Sequence, residues 1–321
     1  MESASYHLLL LDAATHSLLI ADGLQGKILL ELAYPVGCTP AGLALTADCS
    51  KAFLPVVGDN GSGRLYVANL AGHSLYRLPL ILPHPLQFAL QADGRSAYLA
   101  DPSGGLYCLD TVTLNLSCWG QSESMACVGL AIGGECLYTA WELADGGVMG
   151  VFNLQGKMIA EYPVPGIPTN ILFDNRSQVI VPFTANETSG EGIMIFDILK
   201  ETAAQPTTVT IQCPQRTRGL RAYPCQVALS PDGCTAYVVN EDSGSVSIVD
   251  MNTRSAIDYI PVGRSISSLH LLPDSRFAVA ASNMFADLCL IDLVNRRLLS
   301  FTTTDREILG FIAVIPQRRD S

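Results

Sequence analysis

Apolar residues recur along the chain in runs of four to seven, rich in Val, Ile, Leu and Tyr, each closed by Gly, Pro, Asn, Asp or Ser. Runs that short, with turn-forming borders, mark β-strands rather than helices. The stretch from Tyr223 to Gly263 shows the pattern most cleanly. Gln226 to Leu229 leads into Ser230-Pro231-Asp232-Gly233, then Ala236 to Asn240, a Glu-Asp-Ser-Gly turn, Ser245 to Asp250, Met251 to Arg254, and Ala256 to Gly263. That order predicts four short strands in an antiparallel meander.

The same grammar repeats along the chain. An Asp or Asn closes the predicted third strand of each copy, at Asp22, Asn69, Asp110, Asn153, Asp197, Asp250 and Asp292, with intervals of 47, 41, 43, 44, 53 and 42 residues. Opening strands are expected at Leu43 to Leu45, Phe88 to Leu90, Gly129 to Ala131, Asn170 to Leu172, Val227 to Leu229 and Leu269 to Leu271. A unit of about 45 residues cannot cover both faces of its own sheet, so the copies must pack on one another. Four strands per copy, repeated radially, predict an all-β fold, a seven-bladed β-propeller of four-stranded antiparallel blades.

The ends of the chain fit together in this scheme. Only Tyr6 to Leu11 precedes the strand closed by Asp22, so that copy lacks an opening strand, and Leu309 to Val314 supplies one. The last blade is therefore expected to be closed by N- and C-terminal strands, which removes two exposed edges. The reading is a single propeller domain over 1–321, with blades at about 5–39 plus 307–317, 40–84, 85–123, 124–165, 166–222, 223–264 and 265–306.

The stretch Ala228-Leu229-Ser230-Pro231-Asp232-Gly233, Ala236 to Asn240, Val246 to Asp250 and Ile260-Pro261-Val262-Gly263 resembles the YVTN family of β-propeller repeats. Ala97 to Asp101 with Leu106 to Asp110 matches that pattern loosely, and the copies around Trp141 and Phe183 depart from it. The resemblance implies the propeller fold. It also brings in the related lactonase-like propellers, some of which hold a divalent ion.

Composition narrows the function classes. The formal charge is -11, which argues against nucleic acid and anionic membrane surfaces as partners. Mean hydropathy is high at +0.30. The longest apolar candidate, Leu78 to Leu90, is nonetheless broken by Pro79, Pro83, Pro85, His84 and Gln87, and no run reaches the roughly 18 residues of a spanning helix. Ten cysteines are scattered without a CxxC pair, so they read as small buried hydrophobes in a reducing compartment. With no basic leader ahead of Leu8 to Leu11, the expected location is cytoplasmic; a chain trimmed of its signal peptide would be secreted.

Function in this architecture is expected where loops gather at one face. Inter-blade connections and second-to-third strand loops share that face. The longest connection, Cys213 to Cys225, holds Arg216, Arg218 and Arg221 and lengthens the fifth interval to 53 residues. Cys213 and Cys225 are expected to stay free thiols. Arg264 and Arg306 open the next two connections, and His84, Tyr223 and Glu307 join the candidate ligand-binding set. Guanidinium groups so placed suit a carboxylate or a phosphate. Eleven of the fifteen arginines lie in residues 216–321, where acids and bases number 11 each, while residues 1–215 hold 19 acids and 8 bases.

The expected function is therefore a binding or scaffold module for a small anionic molecule or a protein or peptide segment, with no cofactor. The alternative is a lactonase-like, possibly metal-dependent hydrolase using Glu123, Asn170, Asn240 and Glu307. No Ser-His-Asp arrangement or nucleophile elbow is visible. The seven Asp and Asn markers are assigned to turn capping.

Overall fold

The structure is a computed structural model and describes residues 6–23, 27–121, 126–174, 177–198, 206–212, 221–282, 287–303 and 308–316. All regular structure among the described residues is β, and it forms seven antiparallel sheets. They fall into two compact units, one holding residues 1–85, 92–94 and 266–321, the other residues 86–91 and 95–265.

The first unit contains three blades. One runs Cys38–Pro40 with Ala44–Leu45, then Lys51–Gly58, Gly63–Asn69 and Ser74–Arg77. Another runs Ser268–Leu271, Phe277–Ala281, Asp287–Asp292 and Arg297–Thr303. The third joins the two ends of the chain. Its order is Ile28–Ala33, Ser17–Asp22, Tyr6–Asp12 and Ile308–Pro316, so the C-terminal strand takes the opening position beside the N-terminal one. Tyr6 faces Pro316, Leu8 faces Val314 and Leu10 faces Ile312 along that seam. Leu8, Leu10, Leu19, Val279 and Ile308 are buried in one cluster, which ties this composite blade to its neighbour.

The second unit contains four blades. They open with Gln87–Leu90, Ala126–Gly133, the pair Ile167–Pro168 and Leu172–Phe173, and Pro224–Leu229. Their cores lie between sheets, with Tyr138, Met149, Val181 and Phe183 in one cluster and Ile180, Ile193, Val238 and Val249 in another. A single sheet buries one such layer only by stacking on the next, as the repeat implies.

Each Asp or Asn marker ends the third strand of its blade. For five of them the role is local. Asn69 accepts the Gly72 amide, Asp110 those of Val112 and Thr113, Asn153 those of Gln155 and Lys157, Asp250 those of Asn252 and Thr253, and Asp292 those of Val294 and Asn295. Asp197 departs from this pattern. It accepts from Gln178 Nε2 at 2.7 Å and pairs with Arg254 of the next blade.

One expectation fails in detail. Asn170-Ile171-Leu172 does not form a continuous opening strand; the pairing breaks into Ile167–Pro168 and Leu172–Phe173. Pro182 stands opposite the break and has no N–H to return, although its carbonyl takes the Thr169 amide. Asn170 Oδ1 meanwhile accepts the Ile171 amide at 2.8 Å. The blade opened by Cys38–Pro40 is interrupted in the same way. There Pro55 lies in the second strand and its carbonyl accepts Ala41 N–H.

Candidate functional site

The described candidate residues of the second unit converge on one end of the blade Pro224–Leu229, Thr235–Asn240, Ser245–Asp250 and Ser255–Pro261. Register fixes that end: Pro224 lies opposite Asn240, Asn240 opposite Ser245, and Ser245 opposite Pro261. Tyr223 enters the first strand there, Glu241 to Gly244 turn between the second and third, and Arg264 follows the fourth. The turn and the connection are pressed together, since a Cβ on Gly244 would lie 2.5 Å from the Arg264 carbonyl oxygen, and Gly244 has φ +57°. Only glycine suits that position.

Glu191, from the neighbouring blade, anchors the start of this strand. Its Oε2 accepts the Ala222 amide at 2.7 Å and its Oε1 accepts the Tyr223 amide at 3.3 Å and the Thr184 hydroxyl at 3.0 Å. Thr169 Oγ1 donates to the Pro224 carbonyl at 2.5 Å. The Tyr223 carbonyl accepts Glu241 N–H at 3.0 Å. These bonds hold Tyr223 at φ 56°, a left-handed conformation that a tyrosine leaves readily without support.

Electrostatics at this end are mixed. Burial, reinforced by Glu241, Cys225, Asp242 and Glu142, pushes the Tyr223 phenol upward, so it remains a hydrogen-bond donor at neutral pH. Burial, then Asp242, raises the Glu241 carboxyl. Burial first, and Glu241 next, keeps the Cys225 thiol protonated. Arg221 and Arg264 are both exposed. The Glu191 carboxylate is taken up by backbone amides and the Thr184 hydroxyl, and Arg221 has no ion-pair partner among the described residues.

The structure thus brings Arg221, Tyr223 and Arg264 to one end of one unit. His84 belongs to the first unit, exposed beside the Gly58–Gly63 turn. Arg216, Arg218, Arg306 and Glu307 lie outside the described residues, as do Glu123 and Cys213. Asn240 is fully buried and donates to Ser245 Oγ at 3.2 Å and Ser247 Oγ at 2.8 Å. Asn170 serves the backbone, as above. Among the described residues no three of His, Cys, Asp and Glu are grouped to hold a metal ion. No helix among them is long and apolar enough to cross a membrane. The support Glu191 gives Ala222 and Tyr223 has no local signal in the sequence, because those partners lie 31 and 32 residues away.

No family model matches the chain, and no curated protein matches it. Solved structures do. A functionally unknown protein from Desulfotomaculum acetoxidans superposes with a TM-score of 0.73 at 15% identity, covering 96% of this chain and 98% of that one. Hydrazine synthase of Kuenenia stuttgartiensis gives 0.68 at 15% identity over 86% and 89% of the two chains. Apo AztD from Citrobacter koseri gives 0.64 at 11% identity over 97% and 98%. The fold is a seven-bladed β-propeller. At such identities the likeness carries the fold alone, and the propeller's sheets were already separable in the sequence at each Asp or Asn marker.

Proposed function

We propose that this propeller is a binding module whose arginine-bearing loop end takes a small anionic ligand or an acidic peptide segment. One observation carries the reading: Glu191 fixes the exit of the long connection by accepting the backbone amides of Ala222 and Tyr223, and it forms no ion pair with the Arg221 side chain. A guanidinium displayed from a pinned backbone loses less freedom on meeting a carboxylate than one on a loose loop. Arg264 extends the same edge, and the sequence places Arg216 and Arg218 within six residues of Arg221. Tyr223, protonated at neutral pH, adds a neutral donor. The blade that carries this end is also the one closest to the YVTN repeat pattern. Scattered single cysteines suit a cytoplasmic setting.

Citrate, a tricarboxylate that several guanidiniums grip at once, is the probe of choice. Calorimetric titration of the full chain is expected to give saturable binding that weakens with salt. Replacing Arg216, Arg218 and Arg221 together with Ala is expected to abolish it. Undiminished affinity in that triple variant overturns the proposal. Elemental analysis with a lactone hydrolysis screen separates this reading from a hydrolytic one: a stoichiometric divalent metal, or turnover lost on chelation, reverses the assignment.

A further inference from the structure

The blade formed by Ala126–Gly133, Cys136–Leu143, Gly146–Asn153 and Met158–Val164 has a gap in one face. Register sets its side chains in rows. Thr139, Gly150 and Glu161 form one row, flanked by Trp141, Val148 and Pro163 on one side and by Leu137, Phe152 and Met158 on the other. Glycine at 150 leaves the middle of the central row without a side chain. A Cβ there would come 2.7 Å from Thr139 Oγ1, 3.1 Å from Phe152 Cε2 and 3.5 Å from Trp141 Nε1, so the gap is floored by packed groups. The Trp141 indole N–H donates to Thr139 Oγ1 at 2.6 Å, which fixes the ring.

The facing wall comes from the preceding blade in the same unit. In its strand Leu116–Gln121, Gly120 pairs with Leu106 and Cys118 with Tyr107, leaving Trp119 as a bulged residue. A bulge re-aims its side chain. The Trp119 ring packs against the turn at Gly156, where a Cβ would lie 2.6 Å from Cγ, and against Tyr98 at 5.2 Å between ring centroids.

A hollow of about 320 Å³ results, lined by Trp119, Trp141, Phe152, Leu106 and Met158, with Glu161 the one charged lining residue among the described residues. That volume lies within the range of small-ligand sites, roughly 300–1,000 Å³. Glu161 is exposed, and its carboxylate forms no ion pair or hydrogen bond with another described residue. Residues 1–215, which include the hollow, carry 8 bases against 19 acids, a net of 8 − 19 = −11.

We infer that this hollow binds a small organic cation of the methylated-ammonium class. Indole and phenyl faces attract positive charge, and the Glu161 carboxylate selects its sign. N-methyl groups fill the carbon-lined walls and bring no N–H to satisfy. A primary ammonium loses hydrogen bonds to water there and finds few acceptors. This site is separate from the arginine-bearing loop end and stands or falls independently of it.

The chain has two tryptophans, and both line the hollow, so indole emission reports on it directly. Choline and its uncharged carbon isostere, 3,3-dimethylbutan-1-ol, are titrated against the full chain. Choline is expected to change the emission saturably, with affinity about tenfold above the isostere. Glu161→Gln is expected to weaken choline roughly three- to tenfold. Gly120→Leu, at a site where a new Cβ meets nothing within 4 Å, fills the hollow and removes the response while the melting curve stays cooperative. Equal responses to choline and the isostere, an unchanged choline affinity in Glu161→Gln, or no saturable response to either compound overturns the inference.

Discussion

Ending the chain before Ile308 is expected to leave the composite blade unable to fold, with a loss comparable to the stability of a whole domain. Ile308–Pro316 provides the opening strand of that blade, and Tyr6–Asp12 becomes a bare edge without it. The edge is strongly apolar: Leu8, Leu9, Leu10 and Leu11 are each 0–2% exposed in the intact chain. Ile308 is itself 3% exposed, and Val314 packs on the same cluster. Each fully buried aliphatic side chain contributes roughly 1.5–3 kcal/mol. Losing two or more of them together with the seam's backbone bonds consumes most of a margin of about 5–15 kcal/mol. Urea titration followed by near-ultraviolet circular dichroism checks this. The truncated chain should lack native ellipticity or unfold at far lower urea, and the exposed edge should drive it to aggregate. A truncated chain with an unchanged midpoint would show that the seam contributes nothing.

Acid should destabilise the unit that contains His270, through that residue specifically. His270 lies on Ser268–Leu271, opposite Val279, and burial pushes its imidazole down from 6.5 to about 4. The native state therefore keeps it neutral at a pH where the unfolded chain protonates it. Stability from this group is complete above pH 6.5, falls as pH drops from 6.5 towards 4, and changes no further below that. The full span is up to about 3 kcal/mol. Other groups titrate over the same window, so the comparison with His270→Gln isolates the effect. The variant's midpoint should depend less on pH between 7 and 4 than the parent's, and parallel profiles would show that His270 is not the source.

Much of this architecture is written locally in the chain. Asp110 and Asp250 cap turns within three residues of themselves, so the marker they form survives in sequence without any knowledge of the fold. The pairing of the chain ends was legible for a related reason: one copy of the repeat lacked a strand and the tail supplied it. Features that depend on contacts across strands were not legible. Pro55 and Pro182 interrupt the inner pairing of their blades, yet each reads in sequence as one more residue in an apolar run. Trp119 owes its place in the hollow to a bulge, which has no compositional signal. Glu191 reaches Ala222 and Tyr223 from another blade, so the support of the candidate site stayed hidden while its arginines were plain.

If the proposed loop-end site holds, the net charge misleads. An acidic chain repels extended polyanions, but Arg221 and Arg264 stand exposed at one end of a single blade, and on the function proposed above Arg221 would meet a small anion there. Hydrogen–deuterium exchange of the full chain, with and without saturating citrate, tests this most directly. The account predicts slowed exchange at Arg221 to Pro224's neighbours and at Glu241 to Gly244, with the Trp119 and Trp141 strands unchanged. Protection confined to other segments, or none at all, would contradict it.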